Sequence, residues 1–253
     1  MIYTPELIKS IAPAVFATSP SLKLTKKYEF VPTNEIMEIF DQEGWKLSSV
    51  KQSGKSIHGV HELKYRNERL PEIQGTVVEA IIRNSHDGSA TFSMGAGLFR
   101  LVCTNGLTVP TSVAERFSLR HNQFSFDEVK GLAKDFSKKL PKIEKSVSRM
   151  MEKQLTEKEK LSLIKRAVEI RWSVGNCPPS IDVSDLLTPF RPEDEGSDLW
   201  TVFNVIQEKM MRGGLSYKTP RGRITKLRGI KSIQASHRLN IKLWEAAEQL
   251  ILV

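Results

Sequence analysis

The hydrophobic pattern of this chain changes its period near residue 126, and that change limits the folds open to it. Before residue 126, short β-branched runs such as Thr76–Ile82 are bounded by Gly, Asn, Asp and Pro, which predicts strands. After it, apolar residues recur every three or four positions among Lys and Glu, which predicts amphipathic helices. We therefore predict an α+β fold, with a mostly antiparallel sheet and a crossing helix in the N-terminal half and a helical C-terminal half.

Turn and cap signals set the predicted order of the first elements. Thr33 is a favourable N-cap for a helix that would end at Gly44. Asp87-Gly88 predicts a tight turn between two antiparallel strands, and Asn105-Gly106 predicts a second turn. These signals place the helix across a sheet made of sequential hairpins.

We expect three segments: a partly ordered arm over residues 1–22, an antiparallel α+β domain over 23–125, and a helical region over 126–253 packed on the sheet domain. The 40% apolar and 26% charged residues are ordinary for a globular protein. The first twenty residues lack a signal-peptide pattern, and no run approaches the ~20 apolar residues that span a bilayer. Together with two distant cysteines, Cys103 and Cys177, these features predict a cytoplasmic protein with free thiols and no membrane partner.

Positive charge is concentrated towards the C-terminus. The net charge is +9, and the window Lys209–Trp244 contains ten Lys or Arg and no Asp or Glu. A window of one sign attracts phosphates, so we expect nucleic acid as the partner; the other interpretation is a solvated basic face. The candidate nucleic-acid-binding residues in this window are Tyr217, Lys218, Arg221, Arg223, Lys226, Arg228, Lys231, Arg238 and Lys242.

The window is expected to contain a basic loop or hairpin over Tyr217–Leu227 and then a helix from about Arg228 to Leu250. Helical periodicity would place Lys231, Arg238 and Lys242 in one narrow stripe. Beside the stripe runs an expected docking face of Ile230, Ile233, Ile241, Trp244, Ala247 and Ile251. Tyr217, in the basic loop, is a candidate for stacking on a base.

Three arginines near the predicted sheet turns are further candidates for binding phosphate. They are Arg83, Arg100 and Arg120. Ordinary ion pairs with neighbouring acids are the other interpretation of these side chains.

The run Asn84–Ser89 brings a hydroxyl, an imidazole and a carboxylate together in sequence. Adjacent residues on a strand do not face one another, so this run does not predict a catalytic triad. His86 and Asp87 could ligate a metal with acids from elsewhere, such as Glu72 or Glu79, or the run could be a hairpin turn. No catalytic signature is present, so we expect no enzyme activity and no cofactor.

Several short motifs, taken together, resemble an uncharacterised family over roughly residues 25 to 250. They are Asn84–Ser89, Gly97–Leu107, Leu119-Arg120-His121, Leu199-Trp200, Phe203-Asn204, Gln207-Glu208, Arg212-Gly213-Gly214, Leu239-Asn240 and Leu243-Trp244. The chain is similar to the domain-of-unknown-function family numbered nine-three-two. The resemblance implies a protein of phages, prophages or plasmids acting in a bacterial host, and it implies no established activity.

Three functions follow as hypotheses. The first is nucleic-acid binding, with single-stranded DNA favoured, in the replication or recombination of a mobile element. If the protein anneals single strands, we expect it to form a homo-oligomer. The second is a protein antagonist that binds a host defence or replication factor. The third is a metal-dependent nuclease at His86 and Asp87.

Overall fold

The computed structural model describes residues 2–100, 105–109, 117–119, 125–172, 184–219 and 221–251. Within them the chain divides into two compact units, Met1–Ile143 and Glu144–Val253, a later division than the boundary at residue 125 expected from sequence. Cys103, Cys177 and Arg120, together with His121, lie outside the described residues.

The first unit is an antiparallel sheet with helices, and it confirms the predicted α+β fold. Strands β1 to β5 lie side by side in chain order, and β6 also pairs with β4. Its elements are α1 (Pro5–Ile11), α2 (Thr33–Gln42), β1 (Lys46–Gln52), β2 (His61–Arg66), β3 (Thr76–Asn84), β4 (Phe92–Arg100), β5 (Asn105–Thr108), β6 (Phe117–Leu119), α3 (Phe126–Asp135) and the start of α4 (Leu140–Glu152).

The core of this unit lies on one face of the sheet, beneath α2. Alternate strand residues such as Leu63 and Ala80 are buried, as a period of two requires. The ring of Phe40 in α2 lies 4.7 Å from that of Tyr65 in β2. Trp45 follows α2 and donates its indole N–H to the carbonyl of Ala133 in α3, at 3.2 Å. These large buried rings hold both helices against the sheet, each contributing about 1.5–3 kcal/mol by burial.

Two local predictions for this unit are wrong in detail. Helix α2 begins at Thr33 itself with Pro32 as the N-cap, because the Thr33 hydroxyl is bonded to His61 and Asn84 and not to its own helix. Asn105 and Gly106 lie in strand β5, where they pair with Arg100 and Phe99, and they do not form a turn. Gly44 does end the helix region, with a φ of 81°.

The first 22 residues, for which the sequence predicts a partly ordered arm, contain α1 and a 3₁₀ helix at Pro13–Phe16. Ala12, Ala14 and Val15 are fully buried. The segment is also held by the backbone N–H of Ser21, which donates to the carbonyl of His86 at 2.8 Å.

The described residues of the second unit are mostly helical and include a hairpin. After the end of α4 come α5 (Glu157–Arg171), α6 (Leu199–Arg212), β7 (Gly213–Lys218), β8 (Ile224–Arg228) and α7 (Ile233–Gln249). Trp244 of α7 is fully buried, with its ring 5.9 Å from both Trp200 and Phe203 of α6. This aromatic cluster joins the two helices that flank the hairpin.

The core face of α7 was predicted only in part. Ile233, Trp244 and Ala247 are buried as expected. Ile230 and Ile251 lie outside the helix, and Ile241 is half-buried at the edge of the face. Four other residues of α7 that the prediction omitted are also buried: Leu239, Asn240, Leu243 and Ala246. The buried arc is therefore rotated towards Leu239 and Leu243, which changes the residues that face solvent.

Candidate nucleic-acid interface

The basic window forms a β-hairpin that continues directly from helix α6. We call β7, β8 and the residues between them, 213–228, the basic arm. Helix α6 ends at Arg212 and β7 begins at the next residue, because Gly213 has a φ of 75°. A β-carbon at Gly213 would overlap the carbonyl oxygen of Leu227 on the opposite strand. Only glycine therefore permits this passage from helix to strand.

The base of the arm is fixed by hydrogen bonds from its surroundings. Gly213 pairs with Arg228, and the N–H of Ile230 donates to the carbonyl of Met211 at 2.9 Å. From helix α5, the guanidinium of Arg171 donates to the carbonyl of Arg228 at 2.7 Å. The arm thus projects from a base held by α5 and α6.

The tip of the arm is a short turn with two arginines. The carbonyl of Thr219 accepts from Gly222 N–H at 2.8 Å, and its hydroxyl accepts from Arg223 N–H at 3.1 Å. Gly222 has a φ of 80°, in the left-handed region. Arg221 and Arg223, on either side of it, are both exposed.

Strand alternation sorts the arm into two faces. Lys218 pairs directly with Ile224, so both lie on the outward face with Lys226 and Arg228, and all four are exposed. The inner face carries the half-buried or buried residues Leu215, Tyr217, Thr225 and Leu227. The structure therefore places Tyr217, the predicted stacking residue, on the face opposite Lys218 and Lys226.

Four cations of the arm have no carboxylate partner in the described part of the chain: Arg221, Arg223, Lys226 and Arg228. No Asp or Glu occurs between Lys209 and Trp244. The field of the arm is therefore not neutralised by its own sequence neighbours.

Two cations of the window serve the fold instead. Lys209 is 4% exposed, donates to the carbonyl of Asp185 and lies 4.7 Å from the ring centroid of Phe190. Burial lowers the pKa of Lys209, against the opposing effect of nearby acids. Arg212 forms an ion pair with the buried Glu208 at 2.9 Å. Neither was a predicted binding residue.

The predicted stripe on the last helix is correct for two of its three residues. Helix α7 begins at Ile233 with Ser232 as the N-cap, so Lys231 lies before the helix and not on the stripe. Arg238 and Lys242 line a cleft of about 580 Å³ between α5 and α7. The other polar residues that line this α5–α7 cleft are Arg166, Glu169, Arg171, Glu245 and Gln249.

The cleft is less basic than the sequence window predicted. Glu245 follows the window by one residue and shares the face of Arg238 and Lys242. Glu169 lies across the cleft, paired with Arg166 at 3.1 Å. Arg171 is the residue that sequence reasoning missed here; it joins the cleft to the base of the arm, and burial lowers its pKa. No local signal in the sequence connects it with the window.

The arginines of the sheet do not form one site. In the sheet register Arg83 of β3 pairs with Ser93 of β4. Arg100 lies seven residues further along β4, about 23 Å away at the rise of an extended strand. Desolvation lowers the pKa of Arg83, opposed by the charge of Glu62. Arg120 lies outside the described residues.

The Asn84–Ser89 run forms the hairpin turn between β3 and β4. Asp87 accepts from the backbone N–H of Ser89 at 3.0 Å, and Gly88 has a φ of 77°. His86 is fully buried, and its Nε2 lies 2.9 Å from the carbonyl oxygen of Ala14. The Tyr28 hydroxyl donates to the carbonyl of Ser85 at 2.8 Å. These bonds tie the N-terminal segment to the sheet.

Neither acid of the metal hypothesis approaches His86. Glu79 is buried on β3 in an ion pair with Arg66 at 2.9 Å and near Lys64 at 3.6 Å. It lies seven residues from His86, or about 23 Å along an extended chain. Glu72 precedes β3, at its far end from His86. In the described ranges no three His, Cys, Asp or Glu side chains are grouped to hold a metal ion.

These observations define an α+β protein whose C-terminal unit carries a cationic hairpin between two helices. The chain belongs to the family Domain of unknown function (DUF932), whose profile matches residues 23–244, so the predicted family is confirmed. It is 30% identical to UPF0380 protein YafZ and 30% identical to UPF0380 protein YfjQ, both of Escherichia coli strain K12. Each comparison covers 98% of this chain and 91% of the relative. No solved structure matches the chain significantly.

The helices also bear on the expectation about membranes. Across the residues that the structure describes, none of the helices has the length and hydropathy needed to cross a bilayer.

Proposed function

We propose that this protein is a nucleic-acid-binding protein encoded by a phage or plasmid, and that the basic arm makes the main phosphate contacts. The observation that supports the proposal is the arrangement of five cations between residues 218 and 228, with no acid among them. Three of them, Lys218, Lys226 and Arg228, project from one face of an anchored hairpin, and two occupy its tip.

The order of the arm supports binding over a merely solubilising role. Charges on a flexible tail lose conformational entropy when they bind, whereas the strand pairing of the arm has already fixed the backbone. Each cation that contacts a phosphate releases condensed counterions, and this release drives binding at low salt.

The α5–α7 cleft extends the positive surface beyond the base of the arm. Arg171, Arg238 and Lys242 exceed Glu169 and Glu245 in number, and Arg171 is bonded to Arg228 of the arm. We expect the cleft to add a weaker contact to the same polyanion, because its own acids offset part of the attraction.

A salt titration tests this proposal. Binding to labelled single-stranded and duplex DNA is measured between about 50 and 200 mM salt. The triple variant Arg221, Arg223 and Lys226→Ala should bind more weakly. Its salt slope should fall by nearly three on duplex DNA and by about two on single strands, because each lost phosphate contact removes about 0.9 or about 0.7, respectively. Its melting temperature should be nearly unchanged, because these side chains are exposed.

The matched control removes the same charge elsewhere in the unit. Three lysines in α4 and α5 are exposed and have no carboxylate partner in the described part of the chain: Lys145, Lys158 and Lys165. Their triple Ala variant should keep the slope of the unmodified protein. Equal losses of affinity and salt slope in both triple variants would show a general effect of net charge and contradict a specific binding surface.

No DNA binding at about 50 mM salt would contradict the proposal. A host protein recovered in stoichiometric amount from nuclease-treated lysate would then support the antagonist hypothesis. Comparing the two DNA forms tests the single-strand preference that the sequence predicts.

A further inference from the structure

One large apolar residue, Ile224, stands among the cations on the outward face of the basic arm. Ile224 is 73% exposed, although it is β-branched and lies in a strand. It pairs directly with Lys218 and shares its face with Lys226, two residues along the same strand. A large aliphatic side chain held out between cations has no role in the core of either unit.

Two candidate surfaces for covering Ile224, a second copy of the arm and a membrane, fit poorly. A second copy of the arm would bring its own cations against these, because no acid lies within the window. A membrane would require more apolar area: one isoleucine side chain buries less than a myristoyl chain, and a single myristoyl chain binds membranes only marginally.

Duplex DNA satisfies both features of the arm. Its phosphates match the cations, and its base stack accepts apolar wedges such as Ile, which enter from the minor groove and kink the helix by about 20–90°. The minor groove of A·T-rich DNA is narrow and strongly negative, which favours arginines like those at the tip. The anchored base and the pairing with Lys218 fix the backbone at Ile224.

We infer that the basic arm enters the minor groove of duplex DNA and that Ile224 inserts between adjacent base pairs, bending the duplex. This inference rests on the proposed nucleic-acid binding and names its substrate as a duplex. Lys218, Lys226 and the tip arginines bind the phosphates on either side, while Ile224 supplies the wedge.

The test measures binding and bending separately. A duplex of about 25 base pairs with a donor and an acceptor dye at its ends reports bending as increased energy transfer. Filter binding across a salt series reports the phosphate contacts. The variants are Ile224→Ser and, as a matched control, Leu161→Ser, which changes a leucine that is 45% exposed on α5.

The unmodified protein and Leu161→Ser should both raise energy transfer on duplex DNA. Ile224→Ser should lose that increase and keep the salt slope, because its cations are unchanged. A structural role for Ile224 would instead lower the melting temperature, which should stay constant.

Three results would overturn the inference while leaving the proposed function intact. The first is binding without bending by the unmodified protein, and the second is bending that survives Ile224→Ser. The third is a marked preference for single strands over duplex DNA that Ile224→Ser does not change. Flotation of the protein with anionic vesicles, abolished by Ile224→Ser, would assign the residue to a membrane surface instead. Absence of any binding to either DNA form would contradict the proposed function itself.

Discussion

The stability of the first unit should fall steeply in mild acid because of His61. His61 is the first residue of β2, and its side chain is fully buried. Its Nδ1–H donates to the carbonyl of Gly59 at 3.0 Å, so Nε2 is the acceptor for the Thr33 hydroxyl at 2.8 Å. Thr33 accepts in turn from the amide of Asn84 at 3.0 Å. The bond from the Thr33 hydroxyl to Nε2 requires the neutral form of the imidazole, because a protonated Nε2 has no lone pair to accept it.

Burial lowers the pKa of His61 from 6.5 to about 4, partly offset by the Gly59 hydrogen bond and the charge of Asp87. In the unfolded chain the same group titrates near 6.5. The unfolded state therefore binds more protons between these values, and stability is lost as the pH falls through that range. At 1.36 kcal/mol per unit of pKa, the loss from pH 7.5 to pH 4.5 is about 2–3 kcal/mol.

Urea denaturation at pH 7.5 and at pH 4.5 measures this effect. His61→Gln should be less stable than the unmodified protein at pH 7.5, yet its free energy of unfolding should fall less between the two pH values. Other titrating groups contribute equally to both proteins, so the difference between their two pH dependences reports His61. His58→Gln, a change to a half-buried neighbour, is the control and should keep the full dependence. Equal dependence in the unmodified protein and His61→Gln would refute the reasoning.

Three further changes test the packing by urea denaturation at neutral pH. Trp244→Ala removes a fully buried ring and should cost about 3–5 kcal/mol; a loss below 1 kcal/mol would contradict its place in the core. Glu208→Gln should cost about 3–5 kcal/mol, because Glu208 is 2% exposed and is the acceptor for Arg191; a neutral result would show that the pair contributes nothing. Gly97→Ala would place a β-carbon 2.6 Å from Cδ1 of Ile81 and should cost about 1–3 kcal/mol. Adding Ile81→Val should recover part of that loss, because valine lacks Cδ1. If the double variant instead lost as much stability as the two single variants together, the clash would be contradicted.

The sheet and the helices could be predicted from the sequence because their signals are local. The β-branched run Thr76–Ile82 and the Asp87-Gly88 step are signals between neighbouring residues, and the structure has strand β3 and its turn there. The N-cap at Thr33 was wrong because a distant partner, His61, competes for its hydroxyl. Local propensity does not include such tertiary bonds.

The site was predicted less completely than the fold. The window gave the cations of the basic arm, but its conformation stayed open between a loop and a hairpin. The alternation from Ile224 to Arg228 could have indicated a strand with Ile224 and Lys226 on one face. Glu245 was missed because it follows the one-signed window, and Arg171 because helix α5 approaches the arm only in the folded chain.

The passage from α6 into β7 without a loop also bears on how members of this family can diversify. Both ends of the arm are fixed, at Gly213 and at Arg228, so the residues between them can be exchanged as a cassette. A longer, shorter or differently charged tip would leave the flanking helices in place. Changes in the length and charge of the arm can therefore arise at little cost to folding, provided that residue 213 remains glycine.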